Sequence, residues 1–451
     1  MAGRPSSSRS LAVWMNGELV GHWSLGAYSS TFAYDKGWLT SQSVRPLSLS
    51  LALSEEPIRG PAVDNYFDNL LPERKQTRQR LAAAFRVKSL RTFDLLEQVG
   101  RDCVGAVQLL PKGNPAPNVR RVQASPMNEA DIEHLLDQTA SERALTQHEP
   151  DEDLRLSIAG VQDKTALLWH EGTWQRPQGA TPTTHLLKLP LGEVGAHRID
   201  FSHSVQNEWL CAQVAHAFGL PVASCEIARF GRHTVLVVER FDRRWMSEGW
   251  WARLPQEDFC QVNGLAPEQK YEERGGPGMA RILDTLRGSQ KPAVDRRNFL
   301  ASQLLFWLLA APDGHAKNFS ISLQAGGRFE LTPLYDIMSA WPAVGVGPRK
   351  FDYKKLKLAM AVRSKNAHYR MDGILRRHWN AVARATAMGP DFEEVIQAFI
   401  KEAPRVLSEV QAKLPKGFPA EVADPVLQCL LAQARLLEGM PSGLLAAQVV
   451  F

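Results

Sequence analysis

The stretch Pro312-Asp-Gly-His-Ala-Lys-Asn318 decides how this chain is read. It follows a nearly all-apolar run, DRRNFLASQLLFWLLAA (295–311), and precedes the alternating segment FSISLQ (319–324). Apolar residues all round a helix mark it as buried in a large lobe, and the run is short for a bilayer crossing. The heptapeptide is therefore a loop between a buried helix and a strand, and it sets Asp313 and Asn318 at Asp-x-x-x-x-Asn spacing. Phosphoryl transfer needs a carboxylate to accept the acceptor hydroxyl's proton and an oxygen ligand for a divalent cation, and protein kinases use this spacing for the two. A second carboxylate must reach the metal. Asp336, in LTPLYDIMSA (331–340), follows the next short hairpin, with Tyr335-Asp336-Ile337 standing where kinases carry Asp-Phe-Gly.

A loop Asp and Asn also serve as turn formers, so the order of the other groups carries the reading. Lys188 is the one charge inside the apolar strand TTHLLKLP (183–190), where a kinase places the lysine that grips the α and β phosphates. The alternative is an edge-strand lysine facing solvent. Glu208, on the helix SVQNEWLCAQVAHAFGL (204–220) capped by Ser204, either pairs with that lysine or faces water. The strand TVLVVERF (234–241) ends in Glu239, Arg240 and Phe241, where an inter-lobe hinge offers backbone groups to adenine. No Walker-type P-loop and no Gly-x-Gly-x-x-Gly occurs. Ser157, Ile158, Ala159, Gly160, Val161, Gln162, Asp163 and Lys164 precede the strand TALLW and form either a phosphate-covering loop or a plain polar turn.

Composition agrees with an ordinary folded enzyme. Of 451 residues 44% are hydrophobic and 22% charged, which argues against disorder, and a net charge of +5 is too mild to demand an anionic partner. The five cysteines are odd in number, lie far apart and form no CxxC pair, so neither a zinc site nor a disulfide framework is indicated. No run reaches membrane-spanning length and MAGRPSSSRS is no signal peptide, so a cytoplasmic protein without a membrane partner is expected.

LAVWMNGELVGHWSL (11–25) predicts a hairpin at Asn16-Gly17, opening a β-rich N-terminal part. From Pro111 to Asp153 the chain is polar and Pro-rich, a domain boundary, with a short helix predicted after Ser125 as cap and Pro126 as first helical residue. Near the end Asp391 and Glu394 resemble a capping box, and Phe392, Val395, Ile396, Phe399 and Ile400 share one helix face. Three regions are expected: 1–145, β-rich with a linker; 146–265, carrying the phosphate loop and Lys188; and 266–451, mostly helical with the catalytic loop.

The chain resembles the HipA family, the kinase toxins of bacterial HipBA toxin–antitoxin modules. The matching runs are FDNLLPE (67–73), GRDCVGAV (100–107), SIAGVQDKTALL (157–168), TPTTHLLKLP (181–190), VERFDRRW (238–245), LPQEDFCQ (254–261), KYEERGGPG (270–278), DGHAKNFS (313–320) and LTPLYDIMSA. The resemblance implies an α+β, two-lobed protein-kinase-like fold of the phosphatidylinositol-kinase-like group, with Asp313, His315 and Asn318 matching its Asp-x-His-x-x-Asn. It implies Asp313 as catalytic base, Asn318 and Asp336 as Mg²⁺ ligands, and Lys188 as the ATP-phosphate lysine. It adds Ser157 as an autophosphorylation site whose modification expels the loop and ends ATP binding. It implies a HipB-like helix-turn-helix antitoxin, operator DNA and a target such as glutamyl-tRNA synthetase as partners.

Two other classes compete. Asp313, His315 and Asp336 are also a possible ligand set for a metal-dependent phosphohydrolase. The basic stretch 349–377, with Lys350, Lys354, Lys355, Lys357, Arg363, Lys365, Arg370 and Arg376 against only Asp352 and Asp372, suits either a DNA-associated module or a solvated face.

Overall fold

The computed structural model describes residues 9–26, 30–140, 162–195 and 197–443. They form two compact units: one runs to Leu189 and adds Ala228–Gln269 and Ser320–Phe329, the other holds Pro190–Ile227, Lys270–Phe319 and the chain from Glu330.

In the first unit Asn16 and Gly17 both adopt positive φ (48° and 86°), the type I′ geometry whose twist suits a two-residue hairpin. The strands Ser10–Met15 and Glu18–Leu25 on either side lie inside a five-stranded antiparallel sheet that Val107–Pro111 closes at one edge. The helices Pro61–Asp68 and Thr92–Val99 supply its apolar cover. Trp23 of the sheet stacks on Phe67 of the first helix at 4.0 Å between ring centroids and meets Phe93 of the second at 4.8 Å.

A second, six-stranded sheet follows the order Cys225–Phe230, His233–Glu239, His185–Lys188, Lys164–His170, Thr173–Pro177, Ala124–Pro126. The helix Glu129–Ala140 buries Ile132, Leu135 and Leu136 against its Leu167, Leu187, Val235 and Val237. Ser125 and Pro126 do not start that helix. They belong to the edge strand, where a residue without an N–H is tolerated. Asn128 is the cap instead: its Oδ1 accepts from Asp131 N while Asp131 Oδ2 accepts from Asn128 N, both at 3.0 Å.

A buried cluster of charges joins the segment 102–105 to the second sheet's loops. Arg243 Nη2 and Arg253 Nε donate to Asp102 Oδ1 at 2.9 and 3.0 Å, and Thr183 Oγ1 donates to Oδ2 at 2.6 Å. Arg240 pairs with Asp242, whose carboxylate accepts from Gly105 N at 2.7 Å. Burial opposes ionisation of Asp102, but Arg243, Arg253 and Arg240 outweigh it and hold the carboxyl well below the usual range.

The second unit is mostly helical. Ser204–Ala217 packs against Glu393–Ala412 and Ala420–Gly439, with Phe218 stacked on Phe399 at 4.5 Å. Ser204 is the first helical residue rather than the cap, and its Oγ accepts from Leu191 N at 2.9 Å. The apolar helix spans Pro292–Leu308, opening at a proline whose missing N–H costs nothing in the first turn. Phe392, Val395, Ile396 and Phe399 are buried as their spacing predicts, Ile400 in part. Asp391 accepts from Glu393 N at 2.9 Å, whereas Glu394 lies 3.8 Å from Arg297. Among the described residues no helix is long and apolar enough to cross a membrane, and all five cysteines are free.

Candidate active site

The site grows out of the end of the apolar helix. Ala310 takes a positive φ of 46° and Ala311 N donates back to Phe306 O at 2.8 Å, turning the chain into the loop. Gly314 lies so close to Phe306 that a Cβ would stand 2.3 Å from its ring, so only glycine fits at this point of the loop. His315 N donates to Asp313 O at 2.8 Å and Asn318 N to His315 O at 2.9 Å. Asn318 Nδ2 then donates to Asp313 O at 2.7 Å and closes the loop on itself. That bond uses one of the two amide N–H groups and leaves the acceptor Oδ1 uncommitted to it.

Asp313 is half-exposed, with 49% of its side chain accessible. Its Oδ1 accepts from Tyr271 Oη at 2.5 Å and lies 3.7 Å from His315 Nε2. His315 is buried, its ring edge-on to Tyr271 at 5.1 Å. Tyr335 Oη donates to Lys317 O at 2.9 Å, tying the Tyr335-Asp336-Ile337 segment to the loop. Asp336 itself adopts φ 60°, a left-handed conformation that aspartate, like asparagine, takes more readily than most residues. Two residues earlier, Leu334 N donates to Pro221 O and Leu334 O accepts from Ala223 N, both at 2.8 Å.

Glu208 is buried on the Ser204–Ala217 helix, which removes the solvated reading. One residue earlier Asn207 clamps this helix to Ser339, just beyond Asp336. Neither Asn207 nor Tyr271 stands out in the sequence. The only signal for Tyr271 is its place in KYEERGGPG.

Within the first unit, Lys188 is not an edge-strand lysine. Its strand lies between two others, with Leu236 and Lys164 as cross-strand partners, and the residue is only 6% exposed. A buried ammonium is tolerated only where anionic or polar partners compensate it. Gln162 and Asp163 are held at the same strand end: Gln162 Nε2 donates to Leu189 O at 2.6 Å, Leu189 N to Asp163 O at 3.1 Å, and Arg80 Nη2 to Asp163 Oδ1 at 2.5 Å. Lys164 opens the adjoining strand. Ser157, Ile158, Ala159, Gly160 and Val161 lie outside the described residues.

At the hinge expected over residues 239–241, Glu239 is in ladder register with His185, while Arg240 N donates to Thr184 O at 2.9 Å. The Arg240 side chain is buried on Asp242, Thr183 and the Cys103 carbonyl, so its work is structural.

Among the described residues no three His, Cys, Asp or Glu side chains group as a metal site. Asp313, His315 and Asp336 therefore do not assemble the ligand set of the competing hydrolase reading. The basic stretch is also less bare than its sequence neighbours imply. Lys357 and Arg363 pair with Glu273 and Glu272, Arg349 with Glu193 and Arg376 with Glu393.

A sheet-rich part, a helical part and an Asp-x-x-x-x-Asn loop followed by a second aspartate are the arrangement expected of a protein kinase. Comparison with known proteins narrows this. A HipA-like C-terminal domain matches residues 156–407 and a HipA N-terminal domain residues 11–110. The serine/threonine-protein kinase toxin HipA of Shewanella oneidensis is 30% identical over 356 residues, 74% of this chain and 76% of its own. The putative kinase Y4mE of Sinorhizobium fredii is 33% identical over 389 residues, 84% and 86% of the two chains. A solved complex of Shewanella oneidensis HipA, HipB and operator DNA matches at a TM-score of 0.76 and 25% identity, covering 95% of this chain and 97% of that one. The chain belongs to the HipA family and is a HipA-like serine/threonine protein kinase.

Proposed function

We propose that this protein is an ATP- and Mg²⁺-dependent serine/threonine kinase acting as the toxin of a toxin–antitoxin pair. The observation that carries the reading is the closed loop in which Asn318 clasps the Asp313 carbonyl while the Asp313 carboxylate stays accessible. In this reading Asp313 accepts the proton of the attacking hydroxyl. Asn318 Oδ1 and the Asp336 carboxylate hold the metal, and hard oxygen donors of this kind suit Mg²⁺. Lys188 supplies a buried positive charge to the phosphates, with His315 supporting the loop. Bound Mg-ATP supplies the phosphoryl group and the charge that stabilises its transfer. Residues 146–265 would carry the nucleotide-phosphate side and 266–451 the catalytic loop.

The partner is a HipB-like antitoxin on operator DNA, supported by the Shewanella oneidensis complex of those three components. The target is a translation component such as glutamyl-tRNA synthetase, and the setting is the cytoplasm. Both rest on the resemblance to the HipA family, which supports them. Ser157 serves as the self-inactivation site, as the family resemblance implies: a phosphate there would add about −1.5 to −2 charges, unfavourable to binding of anionic ATP if the residue lies in the phosphate-covering loop.

Incubation with labelled ATP tests the core of this. Label should reach protein with the wild type and fall by at least about 10²-fold with Asp313→Asn. Equal labelling by both would overturn the assignment. Absence of phosphate on Ser157 while other sites are labelled would remove the switch alone.

A further inference from the structure

We infer that Tyr271 is a positioning residue for phosphoryl transfer, holding the Asp313 carboxylate in its working orientation. The inference rests on the reading of Asp313 as the base. A half-exposed aspartate has open rotamer choices about χ1 and a broad χ2, and each departure moves the proton-accepting oxygen away from the acceptor hydroxyl. Tyr271 removes that freedom, because its phenol donates to Asp313 Oδ1 at 2.5 Å across 42 residues of sequence.

The phenol is itself fixed from several sides. The backbone of Lys270 accepts from Ala316 N at 3.1 Å, which staples this turn to the catalytic loop directly. Arg274 N and Gly276 N donate to the Tyr271 carbonyl at 2.9 and 3.0 Å and close the turn. The ring stands edge-on to buried His315, with the cationic groups of Lys270 and Arg274 each 5.5 Å from its centroid. His315 Nε2 faces the same Asp313 oxygen at 3.7 Å, so ring, imidazole and carboxylate form one connected set. Phenylalanine would keep the ring packing but has no hydroxyl to orient the carboxylate. Tyrosine is therefore required here by its oxygen.

The role predicts an effect on the transfer step and not on nucleotide binding, since a misaligned reacting group costs rate, by as much as about 10²-fold for a shift near 1 Å. Full-length wild type, Tyr271→Phe and Asp313→Asn are compared by single-turnover self-labelling with labelled Mg-ATP, by Mg-ATP affinity and by thermal melting. Tyr271→Phe should lower the labelling rate by about 10- to 100-fold, with Mg-ATP affinity and melting temperature near wild type. A rate within twofold of wild type overturns the proposal. So does a faster rate, which would make the phenol a blocker of the acceptor site. A loss of affinity and melting temperature in parallel with rate would make Tyr271 merely structural and also overturns it. If Asp313→Asn labels as fast as wild type, the underlying assignment has failed instead, and the two failures are told apart.

Discussion

Asn207 and Ser339 hold each other reciprocally. Asn207 Nδ2 donates to the Ser339 carbonyl at 2.8 Å, and Ser339 N donates back to Asn207 Oδ1 at 2.9 Å. Both residues are buried, so neither backbone group can turn to water when the amide is removed. Asn207→Leu should destabilise the protein by about 2–4 kcal/mol, one to two unpaired buried groups. It should also slow transfer, because the clamp fixes the segment beyond Asp336. Denaturant unfolding with kinetics at a temperature where the variant remains folded checks both. Unchanged stability would mean the helix finds another anchor.

Asp336→Asn separates backbone from charge. Asparagine accepts the left-handed φ of 60° at least as well as aspartate, so the fold should survive. If its carboxylate holds the metal as proposed, its loss should cost several kcal/mol of transition-state stabilisation, about 10²-fold or more in rate. Full activity would remove Asp336 from the metal site.

Lys188→Met keeps the apolar stem while deleting the ammonium. Since the residue is 6% exposed, an alanine would confound lost packing with lost charge. The methionine variant should melt below wild type without nucleotide, because the ammonium's buried partners lose their compensation, and should show a much smaller rise in melting temperature with Mg-ATP. An undiminished rise would exclude Lys188 from phosphate binding.

Glu257 gives a pH dependence unrelated to catalysis. The residue is fully buried, accepts from Ser48 Oγ and from Leu49 N at 2.9 Å, and burial pushes its carboxyl up to about 8 against those bonds. The folded state therefore binds a proton more tightly than the unfolded chain, whose glutamate titrates near 4.5. The stabilisation is fully present below that value and is lost as pH rises towards 8, with a slope of up to about 1.4 kcal/mol per pH unit. Glu257→Gln should flatten this part of the stability curve in urea titrations from about pH 5 to 8. An equally steep curve in the variant would place the titration elsewhere.

Lys354 and Lys355 test the DNA interaction. Lys357 is committed to Glu273 at 2.7 Å, which makes it a poorer probe than its neighbours. In a reconstituted complex with antitoxin and operator, neutralising Lys354 and Lys355 should flatten the slope of log affinity against log salt by about one unit for each phosphate that goes unneutralised. An unchanged slope would leave the stretch a solvated face.

The parts legible in the sequence are those in which local chemistry is enough. Asn16-Gly17 specifies a turn by itself, Phe392 to Phe399 specify a helix face by spacing, and the Asp313-to-Asn318 loop closes within its own residues. What stayed hidden depends on long-range partners. Ser204 looks like a cap until Leu191 takes its hydroxyl. The Arg240 side chain finds its partners, Asp242 and the Cys103 carbonyl, only through the fold. Lys188 reads equally as edge or centre because a strand's place in its sheet is decided by neighbours far along the chain. Tyr271 and Asp313 meet only through tertiary structure.

The Asp102 cluster has a bearing on how this chain can be cut and recombined. The HipA N-terminal domain match ends at residue 110 and the C-terminal one begins at 156, as though the linker were a natural seam. Yet Asp102 lies on one side of that seam, and Arg240, Arg243 and Arg253 lie on the other. A fragment ending at residue 110 would expose a carboxylate shaped for three guanidinium groups. The complementary fragment would retain three clustered cations with Asp242 as their one remaining acid from the set. Chimeras that exchange the N-terminal part between relatives would therefore have to carry Asp102, Asp242 and the three arginines together, making this ionic knot the practical unit of modularity.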